Sequence, residues 1–231
     1  MAQVLGGRFL GQQLLGDGVA GGPTIALASV GMLAASRVYN PRAMTTESAT
    51  LPSVVILSCS LNPQSRSHKL AIAAETFLRG RGVGVELIDL GEHELPLCGT
   101  QGSFDHPNVQ LLTGKIDAAD TILVSAPVYN YDLNAVAKNA MELTGTGWKD
   151  KPVGFLCAAG GKASYMSPIS FANSLMFDFR CHVIPRFVYC TRPDFTDEGQ
   201  PGPEIVQRTE QLAAAAVDLA RGLAWARANP V

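Results

Sequence analysis

No two of the five cysteines form a C-x-x-C pair; Cys59, Cys98, Cys157, Cys181 and Cys190 are odd in number and scattered. That pattern suits neither a disulfide framework nor a zinc or iron–sulfur site. It leaves reduced thiols and a cytoplasmic location as the expectation. The four histidines, His68, His93, His106 and His182, have no ligand spacing, so no metal is expected. There is no basic block either. Lys and Arg number 18 against 20 Asp and Glu, a net charge of −2, which argues against a nucleic-acid partner. The Gly-Lys-Ser/Thr signature of a nucleoside-triphosphate loop is missing. A convincing membrane span is missing too. Residues 18–36 carry no charge, but Gly18, Gly21, Gly22, Pro23 and Gly31 dilute their hydrophobicity.

The first 43 residues lack any hydrophobic period. Their cations, Arg8, Arg37 and Arg42, face one acid, Asp17, which leaves a transit peptide open. The reading preferred here is an N-terminal non-structural extension over 1–43, with the natural start at Met44 and a single domain over 44–231. An apolar fraction of 47% supplies a sizeable core for such a domain.

From residue 53 the chain alternates. Apolar runs at 53–58, 84–89, 121–126, 152–158 and 182–189 interleave with helical patterns near 66–81, 106–118, 133–144, 166–178 and 203–227. Five strands alternating with helices predict an α/β fold, a parallel sheet covered on both faces. The last helix opens at Pro203-Glu204, with proline and acid both favoured in a first turn. Its stripe Leu212, Ala215, Ala216, Leu219 and Leu223 is predicted to face the sheet.

In such sheets ligands bind beyond the carboxyl ends of the strands, so the loops there carry the functional reading. The first is Ser58-Cys59-Ser60-Leu61-Asn62-Pro63-Gln64-Ser65-Arg66-Ser67. It joins the apolar run Val54-Val55-Ile56-Leu57 to a helix. A helix N-terminus offers unpaired N–H groups and partial positive charge, and four hydroxyls add donors. Such a loop suits a terminal phosphate monoester, as in flavin mononucleotide; the simpler alternative is a helix cap at Ser65 or Ser67. The second is Ala126-Pro127-Val128-Tyr129-Asn130-Tyr131, a stiff turn with aromatic surface for a flat ligand. The third is Ala158-Ala159-Gly160-Gly161-Lys162, where glycines permit close backbone approach. Tyrosines covering a helix end, and a plain strand-to-helix turn, are the alternatives for these two.

Taken together, the three blocks resemble the NAD(P)H-dependent FMN reductases of flavodoxin-like fold, a family that includes quinone, azo-dye and chromate reductases. Residues 58–67 resemble its serine-rich phosphate loop. Residues 126–140, with Pro127, Tyr129 and Asn130 ahead of Lys138-Asn139, resemble its flavin-ring motif. Residues 151–161 resemble its third loop. The likeness runs over residues 52–227 and leaves the first 43 uncovered. It implies a three-layer α/β/α fold with a five-stranded sheet in the order 2-1-3-4-5. It also implies one FMN per chain, with NADPH or NADH as co-substrate. By that resemblance Ser60, Asn62, Ser65, Arg66 and Ser67 hold the phosphate. Pro127, Val128, Tyr129 and Asn130 hold the ring, and Ala159, Gly160 and Gly161 meet its pyrimidine edge. Cys59 stands where the family usually has Gly, Gln64 where Gly is frequent, and Asn62 where it usually has Arg. The implied reaction is hydride transfer from nicotinamide to flavin, then to a small-molecule acceptor, in ping-pong fashion with no catalytic side chain assigned. The family is usually dimeric, so a homodimer is expected through the helices after the third and fourth strands. Met141, Met166, Leu175 and Met176 belong either there or in the core. Residues 92–106 form a long loop that either borders the acceptor site or is plain surface. Two other classes remain open: a flavodoxin-like electron carrier, disfavoured by a charge of only −4 over residues 44–231, and a non-catalytic binding module.

Overall fold

In a computed structural model the described residues are 51–230; the expectation for residues 1–43 lies outside them. Five helices and seven strands follow in the order β1 (Val54–Ser58), α1 (Arg66–Gly80), β2 (Val85–Asp89), α2 (Pro107–Ala118), β3 (Thr121–Tyr129), β4 (Asp132–Leu133), α3 (Ala135–Thr144), β5 (Pro152–Ala158), α4 (Pro168–Phe179), β6 (His182–Val183), β7 (Val188–Cys190) and α5 (Pro203–Ala228). The sheet order is β2-β1-β3-β5, with β6 and β7 both pairing with β5 and every central pairing parallel. This is the flavodoxin-like order.

Two elements depart from the five-strand expectation. The predicted fifth strand, 182–189, is split into β6 and β7. Pro185 has no N–H for the ladder, and Arg186 N–H turns back to the Ile184 carbonyl at 2.8 Å. The third strand runs on to Tyr129, past Pro127. There β1 has already ended, since its last partner pair is Ser58 with Ser125, so proline faces a ladder on one side only. The strand then folds back through Asn130 and Tyr131 into β4, pairing Val128 with Leu133 and Tyr129 with Asp132. Both turn residues have positive φ, 51° and 67°, as a two-residue hairpin of type I′ requires.

Each face of the sheet has its own apolar cluster. Leu112, Ile116, Ala137, Met141, Trp148, Phe171 and Leu175 from α2, α3, α4 and the turn after α3 cover one face. Leu70, Ala74, Leu78, Ile205, Leu212, Ala216 and Val217 from α1 and α5 cover the other. The buried stripe of α5 is Ile205, Thr209, Leu212, Ala213, Ala216, Val217 and Ala220, rotated from the predicted one; Ala215, Leu219 and Leu223 are only half-buried. Gly154 explains how closely α5 rides on β5: a Cβ there would meet Leu123 and Leu212 at 2.9 Å. Of the four residues left between core and contact surface, Met141 and Leu175 are core, whereas Met166 and Met176 are exposed. No helix among the described residues is long and apolar enough to cross a membrane.

Candidate functional site

The loops after β1, β3 and β5 converge at the carboxyl edge of the sheet on one cleft of about 730 Å³. Its lining holds Ser60, Asn62, Ser65, Arg66, Pro127, Val128, Tyr129, Ala159 and Gly160 from the sequence-derived set. Three members of that set stand elsewhere. Ser67 is buried beneath the loop, its hydroxyl 2.8 Å from that of Ser65. Asn130 lines a neighbouring cavity between the β3–β4 hairpin and α4. Gly161 turns its carbonyl to the Tyr189 hydroxyl, which donates to it.

The first loop is shaped by its own polar groups. Ser65 is the N-cap of α1, and its hydroxyl accepts from His68 N–H at 3.5 Å. Asn62 accepts from Gln64 N–H through Oδ1 at 2.9 Å and from Ser65 N–H through its carbonyl at 2.9 Å. Asn62 thus shapes the turn with its two oxygens, a local alternative to helix typical of this residue, while its exposed side chain lines the cleft. The cations at the cleft are Arg66, whose guanidinium lies 5.7 Å from the Phe195 ring centre, and Lys69, whose ammonium donates to the Gly199 carbonyl at 2.7 Å. Glu198, next to Gly199, also lines the cleft. Its carboxyl is held below the ordinary range by its own backbone N–H and the Thr196 hydroxyl.

Behind the cleft the strand ends are tied together. Asn134, just before α3, donates through Nδ2 to the Cys59 carbonyl at 2.7 Å and through its backbone N–H to the Pro127 carbonyl at 3.2 Å. Ser125 donates to the Ser67 carbonyl at 2.6 Å. His68 Nδ1 stands 2.8 Å from Ser58 Oγ and 3.2 Å from Asp89 Oδ2, joining β1, α1 and β2. These contacts fix the spacing between the first and second loops. Burial, and next the charge of Asp89, push the Cys59 thiol well up, so it stays protonated and takes no part as a nucleophile.

Sequence reasoning missed Lys69, Glu198 and Gly199 in the lining and Asn134, Ser125 and Asp89 behind it. Lys69 had a signal, since it lies four residues after Ser65 and therefore on the same helix face. Glu198 and Gly199 had none, for the loop after β7 reaches the cleft only through tertiary folding. The loop at 92–106 borders a separate apolar cavity of about 530 Å³, walled by Leu61, Leu90, Leu95, Leu97 and Val136, with Glu92 and Glu94 also lining it. Asn139 pins that loop, accepting from Cys98 N–H at 2.8 Å and donating to the Pro96 carbonyl at 2.9 Å.

The residues present fit a flavin nucleotide. Hydroxyls, two cations and the N-terminus of α1 gather at one end of the cleft, where an anion is favoured. The exposed ring of Tyr129 lines the same cleft. Neither Gly160 nor Gly161 has positive φ, and a Cβ on either would meet nothing within 4 Å. Protein packing therefore does not demand glycine at either position; at Gly160 its absence of side chain keeps one wall of the cleft low.

The sequence profile of the family described as NADPH-dependent FMN reductase matches residues 52–192. The chain is 34% identical over 87 residues to the NADPH:quinone oxidoreductase of Arabidopsis thaliana, which covers 35% of this chain and 43% of that one. It is 27% identical over 148 residues to an FMN-dependent NADPH-azoreductase of Staphylococcus aureus, covering 62% of this chain and 77% of that one. The chain thus spans less than half the length of the plant relative. Among solved structures, FerB, a flavoenzyme NAD(P)H:(acceptor) oxidoreductase from Paracoccus denitrificans, superposes with a TM-score of 0.61 at 22% identity, over 74% of this chain and 98% of that one. That likeness is one of fold.

Proposed function

Because the chain belongs to the NADPH-dependent FMN reductase family, we propose that it is an FMN-containing oxidoreductase that takes electrons from NAD(P)H and passes them to a quinone, azo, free-flavin or similar acceptor. The observation that carries this reading is the single cleft walled by all three loops.

Bound FMN would supply hydride acceptance and onward electron transfer. The chain supplies position and charge. Ser60 and Ser65, the first-turn N–H groups of α1, and the side chains of Arg66 and Lys69 would hold the phosphate, with Ser67 steadying Ser65 from below. Asn62 shapes the turn that presents them. Pro127, Val128 and Tyr129 would flank the ring on one side, and Ala159 and Gly160 on the other. Asn130 and Gly161 would act through the backbone geometry of their turns. The low wall at Gly160 leaves room for donor and acceptor to take turns over one ring face, as a ping-pong cycle requires. No side chain in the cleft need act as acid or base while hydride enters. Backbone N–H groups of the third loop would oppose negative charge growing on the ring.

A homodimer fits the exposed apolar residues Met166, Ile169, Met176 and Phe177 on and beside α4, and the buried thiols fit a cytoplasmic setting. The test is to purify the chain, load FMN, and follow NADPH and NADH oxidation with quinone, azo and free-flavin acceptors. Parallel lines in double-reciprocal plots are expected. A yellow protein inert toward both nicotinamides would be a carrier; a colourless one unable to take up FMN would be a binding module.

A further inference from the structure

Outside the cleft, a small polar pocket of about 190 Å³ is lined by Tyr165, Pro185, Arg186, Phe187, Val188, Arg208 and Gln211. Two arginines line it, and no acidic residue does. Neither arginine forms an ion pair among the described residues. Arg186 meets only the neutral Gln211 amide, to which it donates at 2.7 Å. Two like charges in one small pocket repel each other, and an anion placed between them reverses the sign of that interaction. The planar donor fork of arginine matches a phosphate in bidentate fashion. Beside the arginines stand two aromatic rings, Tyr165 and Phe187, with centres 5.0 Å apart and planes tilted by 39°. The Tyr165 ring is about half exposed.

The pocket is joined to the cleft through one wall. Tyr165 packs edge-on against Tyr189 at 5.4 Å, and the Tyr189 hydroxyl donates to the Gly161 carbonyl. Gly160 lines the cleft and Tyr165 lines the pocket. Tyr165 lies five positions after Gly160, so their Cα atoms are at most about 18 Å apart, a span an extended dinucleotide covers.

We propose that this pocket receives the 2′-phosphate of NADPH, with Arg186 and Arg208 gripping the phosphate and the rings of Tyr165 and Phe187 meeting the adenine while the nicotinamide end lies over the cleft. The proposal rests on the flavin-reductase reading above and adds to it a basis for choosing NADPH over NADH.

Two measurements test it. The first is calorimetric titration of the chain, with and without added FMN, with 2′,5′-ADP, 5′-AMP and inorganic phosphate. The second is the ratio of kcat/KM for NADPH to that for NADH, in the wild type, in R186A/R208A and in R208K. The wild type should bind 2′,5′-ADP at least tenfold more tightly than 5′-AMP. R186A/R208A should lose that margin and at least tenfold of the NADPH/NADH ratio, through KM for NADPH; R208K, which keeps the charge but not the fork, should lose a smaller share of both. Equal affinity for 2′,5′-ADP and 5′-AMP in the wild type overturns the proposal. So does an unchanged ratio in a folded R186A/R208A, or binding of inorganic phosphate without preference for 2′,5′-ADP. If R186A/R208A fails to fold, R208K and the wild-type titrations decide. Failure of the wild type to take up FMN would sink the flavin reading, while the 2′,5′-ADP titration, which needs no turnover, would still judge this pocket.

Discussion

At the scale of single residues, the cleft separates groups that hold the fold from groups that face a ligand. Ser60 and Ser65 face it. Replacing both with alanine should weaken FMN binding tenfold or more, since a hydrogen bond to a charged group contributes about 1.5–3 kcal/mol; fluorescence titration with FMN, with riboflavin as a phosphate-free control, reads the effect. An unchanged FMN dissociation constant would remove the phosphate role from this loop. Gly160 gives the complementary case. Nothing in the protein lies within 4 Å of a Cβ there, so Gly160→Leu should shift stability by no more than about 0.5 kcal/mol. The leucine would nevertheless project into the cleft and abolish flavin uptake. Loss of stability in urea, or normal flavin uptake, would contradict that division. Cleft residues on the three loops were legible because their types, hydroxyl, aromatic and glycine, fall just after apolar runs. Asn62 was legible by position, but its second part in the loop, accepting from Gln64 N–H, is a local choice that spacing does not reveal.

At the scale of elements, the β3–β4 hairpin is the informative departure. Pro127 reads as a strand terminator, yet the strand continues because β1 has stopped and only β5 remains as a parallel neighbour. Sequence pattern cannot state where a neighbouring strand ends. The hairpin also holds Tyr131 at φ 67°, a left-handed conformation that costs a non-glycine residue about 1–2 kcal/mol. Tyr131→Gly should therefore stabilise the folded chain by up to about 1 kcal/mol, part of the relief being offset by the greater freedom of glycine in the unfolded chain. A rise in the urea midpoint checks this, and a fall would mean that the exposed ring makes up for its backbone. The split of β6 from β7 was in principle legible, since Pro185 lies inside the run 182–189. The α5 face was misjudged because a helix of 26 residues with many alanines leaves its apolar stripe ambiguous.

At the scale of the whole molecule, four of the five thiols are buried. Burial pushes Cys181 and Cys190 up to about 12, and Cys59 and Cys157 further. Below pH 9 folded and unfolded chains both hold these protons, and stability is insensitive to them. Above pH 9 the unfolded chain releases them while the folded chain does not. Stability should then fall by about 1.4 kcal/mol per pH unit for each thiol. Lys151, lowered chiefly by burial, acts in the opposite sense but is one group against four. Urea midpoints between pH 8 and 10.5 should drop steeply, and Cys190→Ala should flatten the slope; a level profile would refute the assignment. In native conditions only Cys98, the half-exposed one, should react promptly with Ellman's reagent.

The ammonium of Lys69, near the start of α1, rests on the carbonyl of Gly199, in the loop that follows the last strand. The cleft wall therefore closes on itself across nearly the whole domain, from Ser60 to Gly199. A nascent chain leaving the ribosome has no finished cleft until Gly199 emerges, and no amino-terminal fragment ending before that residue carries one. Uptake of the flavin must then come late in synthesis, and a protein cut short before Gly199 would lack one wall of its cleft.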